Sequence, residues 1–545
     1  MSTPQTRAAP AAAAGGAGHP RRWLILSVLV ISLLVVVLDN TILNVALRVL
    51  SDPEQGLGAT QSELEWAINS YTLVFAGLLF SFGVLGDRFG RKRFLLIGLV
   101  LFGLASLVSA YAQDPGQLIA ARALMGVGGA AIMPVTLSII SNVFDPSERA
   151  RAIGIWAGSV GLAVAIGPIL GGVLLEHYWW GSVFLINVPI VVLGVILVAL
   201  LVPESRNPEP GKVDVVGVLL SVAGLVTLVY GVIDGGEHGF GRPSVWIWTL
   251  AGLAILAVFV LWERRSTHPS LDVRLFRDPR FSAATAAIGL VFFAGMGSFF
   301  FISFYLQLVR GYSPLETGLL LLPFAVAQLI FAPNSSGMVR RYGAKAVSAF
   351  GLIITAVSLG GLAFVGADTP IWMVGALFFG QGMGMANVMP PAMEAIMSSL
   401  PRERAGVGSA VSNTVRQIAA ALGVAVLGSV VAAVYRGQAG DALGALPDGA
   451  RGVASESLAG AYAVAGRLGE AGGGLLGVAN DAFIVGMHWA AVGSAMAALL
   501  GAAVVLRWLP GPPAPALDPA SGPALRDGLG EQERAGEPLG VGSGS

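Results

Sequence analysis

Residues 126–134 read Gly-Val-Gly-Gly-Ala-Ala-Ile-Met-Pro, and residues 382–390 read Gly-Met-Gly-Met-Ala-Asn-Val-Met-Pro. The two stretches share Gly, Gly, Ala, Met and Pro at matching places, 256 residues apart. Two further matches flank them in the same order. Arg88-Phe89-Gly90-Arg91-Lys92 matches Arg341-Tyr342-Gly343-Ala344-Lys345 at an offset of 253, and Pro146-x-Glu148-Arg149-Ala150 matches Pro401-x-Glu403-Arg404-Ala405 at 255. Each match alone is weak. Three in order, at nearly one offset, mark an internal repeat.

Working outward, the repeat sits in a chain of long apolar runs. Fourteen segments are long enough to cross a bilayer as helix, which takes roughly 17–25 residues. Their limits are 23–50, 64–86, 94–112, 117–143, 151–175, 181–202, 213–234, 244–262, 283–309, 314–340, 346–366, 371–399, 404–435 and 483–508. The three matches fall after segments two and ten, within four and twelve, and before five and thirteen. Segments one to six thus correspond to nine to fourteen, with seven and eight inserted between them. An inserted pair preserves the orientation of the second half, so the repeats are parallel. The expected fold is an all-α polytopic membrane protein of 14 transmembrane helices, two parallel six-helix repeats plus two inserted helices. Its parts are bundles at 23–202 and 283–508, the inserted helices at 213–262, and disordered tails at 1–20 and 510–545. Repeated halves of this kind can rock about a central site.

Composition agrees. Of the 545 residues 55% are hydrophobic and only 12% charged, where a soluble globular chain carries roughly 25%. The 74 glycines suit helices that approach closely within lipid. Lys plus Arg (32) balance Asp plus Glu (32), so nothing points to a nucleic-acid partner. Without cysteine and with five histidines, the chain offers no disulfide and no thiolate nucleophile, and a metal site is not expected. No cofactor is implied, and there is no nucleophile–base constellation on which to rest enzyme catalysis. A phosphate loop of the form G-x-x-x-x-G-K-[ST] is absent, so ATP is not expected to act on this chain directly.

Charge also sets an orientation. When loops are assigned alternately to two sides, one side holds 24 of the 32 basic residues, the other six, and two lie within helices. The positive-inside rule places both termini in the cytoplasm of a cell-membrane protein. The first apolar segment is too long for a cleaved signal peptide and runs into Asp39 and Asn40 without a small-residue cleavage site. The connection at about 436–482 is rich in Ala and Gly, with room for a short surface helix and no function assigned to it.

Four motifs carry a family likeness. Gly83-Val84-Leu85-Gly86-Asp87-Arg88-Phe89-Gly90-Arg91-Lys92 resembles the signature loop of the major facilitator superfamily. Leu38-Asp39-Asn40-Thr41-Ile42-Leu43-Asn44-Val45-Ala46-Leu47 is similar to the first-helix signature of its fourteen-helix drug:proton antiporter branch. Gly158 through Gly161 to Gly167-Pro168-Ile169-Leu170-Gly171-Gly172 resembles the antiporter motif, and Leu185-Ile186-Asn187-Val188-Pro189 is also similar to that branch. The likeness covers nearly all of residues 23–508. The chain departs from it at Arg48, where the branch has Pro, and at Gly181-Ser182, where it has Arg-Trp. The resemblance implies a proton-coupled exporter of lipophilic drugs or antibiotics, working by rocker-switch alternating access. Its partners would be a lipophilic small molecule, protons and the lipid bilayer. The alternatives are a symporter taking up a small organic metabolite and a membrane sensor without transport.

Two charges stand deep in apolar segments. Asp39 and Arg122 each cost roughly 2.5–3.5 kcal/mol at a helix centre on insertion scales, and the cheapest arrangement is to face each other or a wet cavity. One reading is a structural ion pair; the other, which the resemblance implies, is proton coupling. Phe378 stands where Arg122 would repeat, so this chemistry is not duplicated. In the loop after the second segment, Arg88, Arg91 and Lys92 serve as positive-inside anchors. Asp87 is explained by pairing across the interface of the halves or with a helix N-terminus, and the resemblance implies a gate formed by Gly83, Asp87, Arg88, Gly90, Arg91 and Lys92. Gly158, Gly161, Gly167, Pro168 and Gly172 line the fifth segment for close packing, with a kink at the proline. Thr41, Asn44 and Arg48 share a face nearly opposite Asp39. Asn44, Glu394 and Arg416 are candidates to line a cavity; for Glu394 the other reading is simple contact with water. Phe292, Phe293, Phe299, Phe300, Phe301 and Tyr305 read as lipid-facing or core residues, of which one or two would line an apolar cavity.

Overall fold

The computed structural model describes residues 19–206, 214–266, 269, 271–400, 405–442, 448–468 and 473–509. The tails, Lys212 and residues 401–404 of the repeat lie outside them. Among the described residues the chain is helical and contains no strand. The helices are α1 (Arg22–Ser51), α2 (Gln61–Phe89), α3 (Arg91–Ala110), α4 (Pro115–Val143), α5 (Pro146–His177), the short α6 (Ser182–Leu185), α7 (Asn187–Leu201), α8 (Val215–His238) and α9 (Pro243–Arg265). There follow α10 (Pro279–Phe304), α11 (Pro314–Leu320), α12 (Leu322–Gly361), α13 (Ile371–Ser398), α14 (Ala405–Ala442), α15 (Asp448–Glu456), α16 (Leu458–Leu468) and α17 (Gly473–Trp508).

Twelve spans among the described residues are long and apolar enough to cross a membrane, and the bent α2 makes thirteen if taken as one span. In α5 the apolar stretch within the described residues is the short run 166–177. The connection at 436–482 is more helical than a loop with one surface helix: α14 runs on to Ala442, α15 and α16 follow, and α17 begins at Gly473.

Local sequence sets where the helices begin. Thr60 caps α2 in a reciprocal capping box with Glu63, and Ser313 does the same for α11 with Glu316, followed by Pro314. Each box satisfies otherwise orphaned backbone donors at a helix start. Asp114 and Asp278 cap α4 and α10, each ahead of a proline. Between α2 and α3 the chain turns at Gly90, φ 113°, and within α12 it kinks at Gly343, φ 82°. These are matching positions of the repeat, and both use backbone that a side chain would strain.

The repeated glycines pack alike. A Cβ on Gly126 would lie 2.6 Å from the Tyr71 carbonyl oxygen of α2, and one on Gly128 2.8 Å from the Phe102 nitrogen of α3. In the second copy, Gly382 meets the Phe324 carbonyl of α12, and a Cβ on Gly384 would lie 2.6 Å from the Gly351 carbonyl oxygen. Small residues at these crossings bring the helix backbones into contact.

Helices α1 to α5 and α7 pack on one another, as do α10, α12, α13, α14 and α17; the two sets meet chiefly where α2 lies on α14 and where α5 lies on α11, the short helix that leads into α12. Helix α8 lies along α9, α14 and α2. Its Leu225, Val229 and Ile233 form one buried cluster with Leu73 of α2 and with Ala421 and Ala425 of α14. Helix α8 therefore covers one seam between the sets.

Candidate functional site

The Asp39 and Arg122 side chains meet in the interior of the first set of helices. Arg122 is fully buried and Asp39 is 2% exposed. Arg122 Nη1 donates to Asp39 Oδ2 in a short ion pair, and its Nε donates to the Ala67 carbonyl oxygen at 3.1 Å. The guanidinium lies over the Tyr71 ring, 4.5 Å from its centroid. That face of a buried aromatic ring attracts a desolvated cation. The other carboxylate oxygen, Asp39 Oδ1, accepts from Asn187 Nδ2 at 3.1 Å. Asn187 is itself fully buried and also donates to Ser106 Oγ at 3.0 Å, while Ser106 donates to the Phe184 carbonyl at 2.8 Å. Six helices, α1, α2, α3, α4, α6 and α7, thus contribute to one polar cluster in an apolar surround.

Breaking a buried ion pair by removing one partner costs about 3–5 kcal/mol, because the other charge is left uncompensated. The cluster is therefore costly to disrupt from either side, and its net charge changes by one when Asp39 takes up a proton. Sequence reading singled out Asp39 and Arg122 but gave Asn187 no role. A signal existed: Asn187 is a lone amide within the span Ser182–Leu201, whose mean hydropathy is 2.9, and an amide there needs a partner. Ser106 and Tyr71 carried no such signal.

The loop after α2 docks on the end of α7. Asp87 pairs with Arg91, Oδ1 to Nε at 2.7 Å. This local i,i+4 partner lies across the Gly90 turn as the first residue of α3, so of the two partners the sequence suggested, one on the other half or one at a helix N-terminus, the contact is with the latter. Lys92 Nζ donates to the Ala199 carbonyl at 2.7 Å, the Lys92 amide donates to Glu204 Oε1 at 3.1 Å, and the Arg91 amide donates to the Ser205 carbonyl at 2.9 Å. Arg88 is exposed. Gly83 and Gly86 face α4, at Pro134 and Val135. Glu204, which sequence reading passed over, is the acceptor around which the loop is organised.

Helix α5 is wedged between α1 and α11. Gly167 lies against Thr41, Gly171 against Ile42, and a Cβ on Gly172 would lie 2.8 Å from the Pro314 carbonyl oxygen. Gly318 of α11 in turn meets the Pro168 carbonyl. The surroundings of Gly158 and Gly161 lie outside the described residues. Among the described residues, close approaches between the two sets are found toward the ends of the helices away from the Gly83–Lys92 loop. Besides the α5–α11 contact, Gly428 meets Glu65, and Gln307, in a π turn at residues 305–309, donates to the Val45 carbonyl at 3.0 Å.

No hydrogen bond or ion pair links the three cavity candidates to one another. Asn44 donates to the Asn40 carbonyl at 3.1 Å, and Thr41 to carbonyls of its own helix. In apolar surroundings the carbonyl one turn back is the nearest acceptor. Glu394 is exposed. Arg416 is half-buried, with its guanidinium 5.4 Å from the centroid of the Phe292 ring. Phe300, Phe301 and Tyr305 are buried, and Phe299 stacks on Phe378, so an aromatic stack occupies the position in the second half that Arg122 holds in the first.

Comparison with known proteins gives the family. The sequence profile of the Major Facilitator Superfamily matches residues 29–424. The multidrug efflux pump LfrA of Mycolicibacterium smegmatis is 38% identical over 89% of this chain and 96% of its own length. The tetracenomycin C resistance and export protein of Streptomyces glaucescens is 33% identical over 91% of this chain and 92% of its own. Among solved structures, a bacterial homologue of the human lysosomal transporter Spinster superposes with a TM-score of 0.63 at 18% identity, covering 91% of this chain and all of that one. The chain, with its many apolar spans and its likeness to efflux pumps, belongs to the major facilitator superfamily of membrane transporters.

Proposed function

We propose that this transporter is a proton-coupled exporter of lipophilic drugs or antibiotics. In this reading it has fourteen transmembrane helices, two parallel six-helix halves at 23–202 and 283–508, inserted helices at 213–262, and both termini in the cytoplasm. The export reading draws on the efflux and resistance functions named for its relatives. The proton reading is carried by one observation: a buried carboxylate, Asp39, paired with a buried guanidinium, Arg122, within a transport bundle. Intramembrane ionisable residues are expensive and mark ion or substrate pathways.

Arg122 holds the Ala67 carbonyl and the Tyr71 ring as well as Asp39. Proton uptake by Asp39 would leave Arg122 in place as an uncompensated cation. The changed charge would bias the packing of α1 against α4, and with it the seam between the halves at α5 and α11. In this scheme the Gly83–Lys92 loop acts as the cytoplasmic gate, and the close α5–α11 crossing as the pivot. Arg416, on the second half, is the group there suited to meet a polar part of the substrate. The membrane potential and pH gradient would supply the work, with about 2.3 kcal/mol per charge for each 100 mV before the pH term is added.

The test is efflux from inverted membrane vesicles energised by a proton gradient, with a panel of lipophilic drugs as probes. Wild type should accumulate at least one of them, and Asp39→Asn should lose accumulation driven by the gradient. Undiminished gradient-driven transport in Asp39→Asn overturns the coupling role of this residue.

A further inference from the structure

The proposal concerns Asn187 and rests on the reading of Asp39 as the proton site. Each oxygen of the Asp39 carboxylate has one donor, and the two donors come from different helices: Arg122 on α4 at Oδ2 and Asn187 on α7 at Oδ1. Each donor also has a second acceptor. Arg122 gives its Nε hydrogen to the Ala67 carbonyl of α2, and Asn187 gives a hydrogen to Ser106 of α3.

That doubling matters for proton exchange. A buried polar group stripped of its only partner bears its full desolvation penalty. With a second partner already engaged, Asn187 keeps a hydrogen bond when Asp39 becomes neutral, while Arg122 keeps the Ala67 carbonyl and is left as an uncompensated cation.

The amide has one workable orientation. Ser106 commits its hydroxyl hydrogen to the Phe184 carbonyl at 2.8 Å, so toward Asn187 its oxygen acts as acceptor. The amide nitrogen supplies both Ser106 and Asp39, while the buried amide oxygen has no hydrogen-bond partner. Turned over, the amide would set its oxygen against two acceptors at once. Among the described residues, the charged or titratable groups facing Asp39 are Arg122 from α4 and Tyr71 from α2. Helices α3, α6 and α7 bring Ser106, Phe184 and Asn187, and α5 meets α1 through Gly167 and Gly171. From the other set, Gln307 reaches α1 at the Val45 carbonyl.

We propose that Asn187 is a positioning residue for proton coupling: its amide, oriented by Ser106, holds the Asp39 carboxylate against Arg122 and governs how readily Asp39 is protonated. Asn187 takes no proton itself. Its place within α7 also ties the protonation of Asp39 to the helix whose far end carries the Glu204 dock of the Gly83–Lys92 loop.

The experiment is an infrared titration of the purified, detergent-solubilised protein between about pH 5 and 9, a range chosen to bracket a perturbed carboxyl. It follows the carbonyl stretch of a protonated carboxyl, and the band missing in Asp39→Asn assigns Asp39. Removing one donor to an ionised group withdraws about 1.5–3 kcal/mol from the ionised form. At a pH where wild-type Asp39 is almost wholly ionised, Asn187→Leu should therefore raise its protonated share about ten- to a hundredfold, given about 1.4 kcal/mol per tenfold. Ser106→Ala, which frees the amide to turn over, should act in the same direction and less strongly. A role in packing alone would alter thermal stability and leave the titration unmoved.

An unchanged Asp39 titration in both variants overturns the proposal while leaving the proton-site reading intact. If wild-type Asp39 shows no titration and no band is lost in Asp39→Asn, the underlying reading fails and takes the proposal with it. If Asn187→Leu does not fold, Ser106→Ala decides the question alone.

Discussion

The Asp39–Arg122 pair makes a prediction whose ordering is more telling than its size. In Arg122→Met the apolar volume is largely kept, but Asp39 loses its charged donor and retains one hydrogen bond, from Asn187. An uncompensated buried charge costs about 3–5 kcal/mol. In Asp39→Asn the shape is kept, and Arg122 still holds the Ala67 carbonyl and the Tyr71 ring. Arg122 is then the uncompensated buried charge, so this loss too approaches about 3–5 kcal/mol, eased by those two remaining contacts. The double variant, Asp39→Asn with Arg122→Met, buries no charge. Stability should therefore fall in the order wild type, double variant, Asp39→Asn, Arg122→Met. The double variant should be less impaired than the sum of the singles by about 2 kcal/mol or more, as for residues in one network. Thermal unfolding of the purified protein in detergent reads the order directly. Acidification should relieve part of the Arg122→Met deficit, because a proton on Asp39 removes the uncompensated charge. Additive losses, with the double variant least stable and no relief in acid, would refute the claim that each charge compensates the other.

Other contacts make independent predictions. Gly172→Val places side-chain atoms against the start of α11, where a Cβ alone lies 2.8 Å from the Pro314 carbonyl oxygen; overpacking there costs about 1–3 kcal/mol. This variant should slow transport in the vesicle assay by tenfold or so, while Gly474→Val, at a position with nothing within 4 Å, should not. Equal transport by the two variants would contradict the crossing. Gly90→Ala should cost about 1–2 kcal/mol of thermal stability, since φ there is 113° and a Cβ would lie 2.8 Å from Glu204 Oε1. Glu204→Gln, at a partly exposed pair with Arg93, should cost under about 1 kcal/mol; a reversed ranking would count against the docked turn. The chain has no native cysteine, so Gly77→Cys with Val222→Cys can form one disulfide only. The Cβ separation of 3.6 Å lies within the range such bonds accept. Mass spectrometry should find that bond after mild oxidation, and its absence would contradict the seating of α8 on α2.

Much of the architecture was legible because lipid imposes simple rules. Apolar runs of bilayer length, the segregation of Arg and Lys to one side, and the matched Gly-Gly-Ala-Met-Pro stretches need no knowledge of contacts. Other features were legible only as problems. Asp39 and Arg122 announced themselves by their cost, which sequence can state, while the partner that offsets it depends on which faces of α1 and α4 oppose. Asp87 called for a partner across the interface of the halves or at a helix N-terminus, and it pairs with Arg91, the first residue of α3, because the positive φ of Gly90 folds that helix start back toward it. Asn44 was legible as a polar group in an apolar run, while its hydrogen bond to the Asn40 carbonyl of its own helix was not.

The sequence by itself determined a helical membrane protein built on a repeat, because hydrophobic length and residue periodicity are local and survive without any neighbour in view. It also marked the two residues whose burial demands explanation. Only the tertiary structure decided that Asn187, Ser106 and Tyr71 complete their environment, that Glu204 anchors the loop after α2, and that α8 covers the α2–α14 seam. Those outcomes depend on groups up to hundreds of residues apart meeting within a few ångströms. Helix rotation and crossing geometry set such meetings, and small residues at the crossings permit them.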